Sequence, residues 1–286
     1  MKRYLILLLA LQILGCSGAK EDGAPTVTQK TSENTVIITP DTATARSVIT
    51  LKADSSLLTS ATIDWHINGN VAESSGSTRF TSSELSKGDT LQAILTKNQK
   101  KYHSNEIRIM NTPPRINRAG MVPALPKVGD ILRIEVDAQD VDGDKIYYRY
   151  KWTLNNKHIS DQDYLDTEFK RDDMIVVEII TYDSESTGSK IFVKNKIYNT
   201  PPAMTESGPD FDGKTYTYNI NATDIDGDEL TYEIIDGPKG MSIDPAGKIT
   251  WEAGSNAGTY EFKVHVNDNK GGELIVPITT RLSFEE

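Results

Sequence analysis

Apolar and polar residues alternate with a period of two along much of this 286-residue chain. Ile63, Trp65 and Ile67 are interleaved with Asp64, His66 and Asn68. Leu132, Ile134 and Val136 repeat the pattern, as do Tyr216, Tyr218 and Ile220. Near the C-terminus Tyr260, Phe262, Val264 and Val266 point one way while Glu261, Lys263 and His265 point the other. A strand with one buried face needs this alternation, because successive side chains leave the backbone on opposite sides. Asn68-Gly69 supplies the pair of positive-φ residues that a tight hairpin requires. No amphipathic helix is expected after Cys16. The pattern predicts an all-β protein.

The strands come in repeats. Asn111-Thr112-Pro113-Pro114 returns as Asn199-Thr200-Pro201-Pro202. Paired prolines fix φ and remove two donors, so both tetrapeptides read as stiff, extended boundaries. The residues upstream also match. Ile63-Asp64-Trp65-His66-Ile67 corresponds to Tyr150-Lys151-Trp152-Thr153-Leu154, and Lys87-Gly88-Asp89-Thr90-Leu91 to Arg171-Asp172-Asp173-Met174-Ile175. This is internal duplication. Units of about 90 residues built from short strands indicate immunoglobulin-like sandwiches. The expected domains are 34–110, 111–198 and 199–286, three tandem immunoglobulin-like β-sandwiches. Trp65 and Trp152 fall where such a sandwich buries a central aromatic.

The third unit departs from the other two. Asp224-Ile225-Asp226-Gly227-Asp228 leads into Gly237-Pro238, Gly247-Lys248-Ile249-Thr250-Trp251, Gly258-Thr259-Tyr260 and Val266-Asn267-Asp268-Asn269. In that order these motifs resemble the "putative Ig" or dystroglycan-type cadherin-like module of bacterial surface proteins, over roughly residues 205 to 282. The first two units resemble PKD or Ig-like repeats less closely. The resemblance implies sandwiches used for display and binding, often with calcium, and implies no catalysis.

The N-terminus changes the picture of location. Lys2 and Arg3 precede an apolar run, Tyr4 to Leu14, that is too short to span a bilayer. It ends in Ile13-Leu14-Gly15-Cys16, which resembles the lipobox of bacterial lipoproteins. The resemblance implies that residues 1–15 are a signal peptide and that Cys16 carries a diacylglycerol and an acyl chain such as palmitate. Each buried methylene contributes about 0.8 kcal/mol, so several chains anchor stably without a transmembrane helix. Residues 16–33 have no apolar periodicity and read as a lipidated flexible tether. Ser17 stands where an aspartate would resemble an inner-membrane retention signal. The expected location is the cell envelope, on the outer membrane in a Gram-negative source, facing the periplasm or the surface. Cys16 is the only cysteine, so no disulfide supports the fold.

Acidic residues outnumber basic ones 41 to 31, for a net charge of −10. That balance argues against a nucleic-acid partner, and the lysines read as scattered. One acidic pattern stands out. Asp140-Val141-Asp142-Gly143-Asp144 and Asp224-Ile225-Asp226-Gly227-Asp228 are the same D-x-D-G-D loop in the second and third units. Oxygen-only ligands gathered around a glycine suit Ca²⁺, with Asp268 and Asn269 as further ligands in the third unit. The spacing is not that of an EF-hand, because Lys151 and Ile235 stand where the bidentate glutamate would fall. An acidic β-turn is the alternative. Ala53-Asp54-Ser55-Ser56 in the first unit carries no triplet, so the sandwich does not require one.

Four histidines lie far apart, and no nucleophile elbow, P-loop or dinucleotide fingerprint is present. An enzyme is not expected. The expected function is that of a non-catalytic envelope lipoprotein, anchored to the membrane by its lipid, serving as spacer and scaffold for an envelope or surface protein. The alternative is a carbohydrate- or cell-wall-binding lipoprotein, for which Tyr147, on the strand face opposite Tyr148, Tyr150 and Trp152, offers an exposed ring for a glycan.

Overall fold

In the computed structural model, which describes residues 35–283 other than 75, 206, 255 and 256, the repeats become separate pairs of antiparallel sheets. The expected signal peptide, Cys16 and the expected tether to residue 33 lie outside the described residues. The first module contains β1 (Ile37–Thr39), β2 (Ile49–Lys52), α1 (Ser55–Leu58), β3 (Thr62–Ile67), β4 (Asn70–Ser74), β5 (Arg79–Phe80), β6 (Thr90–Lys97), β7 (Lys100–His103) and β8 (Ile107–Arg108). One sheet runs β1-β2-β5, and the other runs β4-β3-β6-β7 with β8 also on β6. The single helical turn α1 departs from the expectation of no helix. It places Leu57 in the core and stands where the other two modules carry their acidic loops.

The second module repeats the plan with β9 (Arg115–Val122), β10 (Leu132–Gln139), β11 (Tyr147–Leu154), β12 (Lys157–Ser160), β13 (Tyr164–Leu165), β14 (Met174–Tyr182) and β15 (Thr187–Lys196). Its sheets run β13-β10-β9 and β12-β11-β14-β15. The third module contains β16 (Ala203–Met204), β17 (Pro209–Phe211), β18 (Thr215–Asn219), β19 (Ala222–Thr223), β20 (Thr231–Ile235), β21 (Ser242–Ile243), β22 (Lys248–Glu252), β23 (Gly258–Asn267) and β24 (Glu273–Leu282). Here β17-β18-β22-β21 faces β20-β23-β24, and β16 pairs with β19. The chain is three tandem immunoglobulin-like sandwiches.

Each sandwich has its own hydrophobic core. In β14 the alternation buries Ile175, Val177, Ile179 and Thr181 and turns Met174, Val176, Glu178, Ile180 and Tyr182 outward. Trp65 opposite Ala93 and Trp152 opposite Val177 occupy equivalent places in the register, and both are fully buried. Each indole N–H, which burial would otherwise leave unsatisfied, donates to a backbone carbonyl, Ser77 at 3.1 Å and Gln162 at 2.9 Å. Asn68 and Gly69 adopt positive φ in the β3–β4 hairpin, as do Asn155 and Asn156 in the β11–β12 hairpin.

Candidate functional site

The D-x-D-G-D loops follow β10 and β19, and both face the junction with the preceding module. Within each loop the first aspartate builds the turn. Asp140 Oδ1 accepts the backbone N–H of Asp142 at 2.8 Å and of Asp144 at 3.3 Å. Asp224 Oδ1 does the same for Asp226 at 2.8 Å and Asp228 at 3.4 Å. The glycine must adopt positive φ to close this turn, +78° at Gly143 and +82° at Gly227.

The second aspartate holds the linking tetrapeptide. The Thr112 N–H donates to Asp142 Oδ2 at 2.6 Å, and the Thr200 N–H donates to Asp226 Oδ2 at 2.6 Å. The third aspartate takes a cation from the module before it. Lys87 Nζ donates to Asp144 Oδ2 at 2.6 Å and to Glu185 Oε1 at 2.7 Å. Arg171 grips Asp228 with both terminal nitrogens, Nη2 to Oδ1 at 2.9 Å and Nη1 to Oδ2. A planar fork on a carboxylate is a more directional contact than a lysine point charge.

The tetrapeptide asparagine completes the network. Lys87 Nζ donates to Asn111 Oδ1 at 3.1 Å, and Asn111 Nδ2 donates to Asp183 Oδ2 at 2.9 Å. At the second junction Arg171 Nη1 donates to Asn199 Oδ1 at 2.7 Å, and Asn199 Nδ2 donates to Asp268 Oδ2 at 2.6 Å. The receiving aspartates are deeply buried, Asp183 at 5% exposure and Asp268 at 1%. Backbone N–H groups of Glu185 and Ser186 satisfy Asp183, and those of Lys270 and Gly272 satisfy Asp268. The approach is close enough to require glycine. A Cβ on Gly272 would lie 2.1 Å from Asp268 Oδ2 and 2.7 Å from Pro201 Cα, and one on Gly188 would lie 2.0 Å from the Pro114 carbonyl oxygen.

The charges are shifted accordingly. The hydrogen-bonded Arg171 holds the Asp228 carboxyl below the usual carboxylate range, and Asp228 in turn raises Arg171. Burial opposes ionisation of Asp268, yet the donors from Asn199, Lys270 and Gly272 outweigh it and keep its pKa low. Asp183 is depressed in the same way, burial being outweighed by Asn111 and the Glu185 and Ser186 donors. Lys87 is raised, chiefly by its hydrogen bonds to Asp144 and Glu185.

The expected calcium ligands are partly gathered. Asp140, Asp142 and Asp144 bring carboxylate oxygens within 4.8 Å of one another, and so do Asp224, Asp228 and Asp268. Asp226 is outside the second set, turned toward Thr200, and Asn269 Nδ2 donates instead to the Glu229 carbonyl at 3.4 Å. Asp140 Oδ2, Asp224 Oδ2 and Asp226 Oδ1 are buried without a hydrogen-bond partner. Buried carboxylate oxygens without donors are costly, and a hard cation is one group that would satisfy them, although Arg171 already takes both oxygens of Asp228 and N–H donors take both of Asp268.

Sequence reasoning reached the aspartates and missed Lys87, Arg171, Asn111, Asn199 and Asp183. Lys87 and Arg171 do occupy matching positions in the duplication, and both tetrapeptides begin with asparagine, which was the available signal.

A family model described as "Putative Ig domain" matches residues 201–283. No curated protein matches the chain. Among solved structures, the three N-terminal domains of the bacteriophage RB49 Highly Immunogenic Outer Capsid protein are similar at 13% identity and a TM-score of 0.32, covering 88% of this chain and 99% of that one. Sidekick-1 immunoglobulin domains 1–5 are similar at 14% identity and a TM-score of 0.30, covering 85% of this chain and 58% of that one. The human Desmocollin-1 ectodomain is similar at 10% identity and a TM-score of 0.28, covering 88% and 62%.

Proposed function

We propose that this chain is a non-catalytic, lipid-anchored envelope protein whose tandem sandwiches act as a stiff spacer and protein-interaction scaffold. The repeated joint carries this reading. Two proline-paired tetrapeptides would by themselves leave modules free to swing about their flanking bonds. Here each is clamped by a basic side chain from the module before and three aspartates from the module after.

Anchoring through Cys16 rests on the residues before it, and among the described residues no helix is long and apolar enough to cross a membrane. Calcium belongs to the same proposal as a second clamp at the orphaned carboxylate oxygens, and it would stiffen the joint without being needed for folding. The test is in cells. Membrane fractionation with Cys16→Ser should release the protein, and photo-crosslinkers on the second and third modules should capture a discrete envelope protein. Membrane retention of Cys16→Ser, or crosslinks concentrated on the first module, would contradict the proposal.

A further inference from the structure

The lysines that look scattered in the sequence gather on one sheet face of the second module. Side chains at every other position of β11, β14 and β15 point outward, and these positions include Arg149, Lys151, Lys190, Lys194 and Lys196, with Lys145 just ahead of β11. All six are exposed. Among the described residues, Glu178 ion-pairs with Lys190 at 3.3 Å and Asp172 with Lys196 at 2.9 Å. A chain of net charge −10 thus carries a cationic platform.

Aromatic rings prop up these cations. Tyr147 and Tyr182 stack on each other at 5.4 Å, Lys145 lies 5.0 Å over Tyr147, and Arg149 lies 4.4 Å over Tyr182. Lys190 lies 5.5 Å over the half-exposed Phe192. Laying a flexible basic stem across a ring reduces the entropy lost when its head meets an anion. The fold does not demand any of this. In the first module Thr62 and Asp64 stand where Arg149 and Lys151 do, with only Lys101 and Arg108 matching Lys190 and Lys196, and the outward positions of the third hold Glu233, Glu261, Lys263 and His265.

We infer that the β11-β14-β15 face of the second module binds a linear anionic polysaccharide. The inference goes beyond the protein-interaction role proposed above and adds a saccharide partner for one face of the spacer. Charge complementarity requires an anion. Outward positions repeat about every 7 Å along strands of eight to ten residues, which suits an extended polymer with regularly spaced charges over a compact ligand. Single-stranded nucleic acid is disfavoured because base stacking needs open ring faces, and here Tyr147 is faced by Tyr182 and Lys145 while Arg149 covers Tyr182. Carboxylated sugars need only the raised charges.

The experiment measures binding of the full chain to polygalacturonate, with neutral dextran, a single-stranded oligonucleotide and phosphatidylglycerol vesicles as the other arms. Polygalacturonate should bind at least about tenfold more tightly than each of the others, and the double variant Arg149→Glu/Lys194→Glu should lose at least about tenfold. Both side chains are exposed, so the variant keeps its fold, and thermal melting checks this. Binding no better than dextran, binding unchanged in the variant, or preference for the oligonucleotide or the vesicles would overturn the inference. The module joints lie apart from these two residues, so a failure here leaves the spacer reading standing and a flexible joint leaves this one standing.

Discussion

Arg171 of the second module and Asp228 of the third form a two-pronged ion pair across the junction, with Nη2 2.9 Å from Oδ1. Asp228 is only 9% exposed along its side chain, and its counterpart Asp144, paired with Lys87, is 29% exposed. The two joints share a plan and differ in how far solvent screens the central pair. Removing the cation should therefore cost the second joint more than the first. Arg171→Met should lower the melting temperature further than Lys87→Met. An equal or reversed order in calorimetry would show that burial of Asp228 does not control the joint.

Gly272 runs against Asp268 and Pro201 with no room for a methyl group. Gly272→Ala must displace either the tetrapeptide or the Asp268 loop, an overpacking cost of about 1–3 kcal/mol. Gly120, whose added Cβ would meet nothing within 4 Å and whose φ is not positive, serves as control. Gly120→Ala should change stability by less than about 0.5 kcal/mol. Chemical denaturation distinguishes the two.

Asp183, Asp228 and Asp268 all have folded pKa values below their ordinary ones. The unfolded chain then binds protons more readily than the folded one in acid. The stability they contribute is complete above the unfolded carboxylate pKa of about 3.9 and is lost as pH falls through the depressed folded values. Melting temperature measured from neutral to strongly acidic pH should hold steady and then fall below about pH 4. Asp268→Asn should shallow that fall, and an unchanged slope would remove Asp268 from the account.

Calcium should raise the melting temperature and a chelator should lower it, through the orphaned oxygens of Asp140, Asp224 and Asp226. Extracellular sites bind with dissociation constants of about 10⁻⁴ to 10⁻³ M, so millimolar calcium at the tighter end adds about 1.4 kcal/mol per site. Asp224→Asn should abolish the response of the third module. A chain indifferent to both reagents would leave the loops as joint hardware alone.

Much of the fold was legible because burial imposes period two on each strand, and Trp65 and Trp152 marked equivalent registers. The joints were legible only in outline. Asp142 and Asp226 act on backbone N–H groups of Thr112 and Thr200, a role that side-chain chemistry does not advertise. Lys87 and Arg171 lie 57 residues from the aspartates they bind, so nothing local links them. The cationic face was hidden by the same alternation that revealed the strands. Core residues such as Ile191 and Val193 separate Lys190, Phe192 and Lys194 in the sequence and dilute their charge, whereas folding sends them to opposite sides.

The central claim is that these junctions hold the modules in a fixed relation. Spin labels on exposed positions of the first and third modules, read by pulsed dipolar spectroscopy in the full chain, test it most directly. A single narrow distance distribution that broadens when Lys87 and Arg171 are both changed to serine is the expected result. A broad distribution in the unaltered chain, or one that the double substitution leaves unchanged, would contradict it.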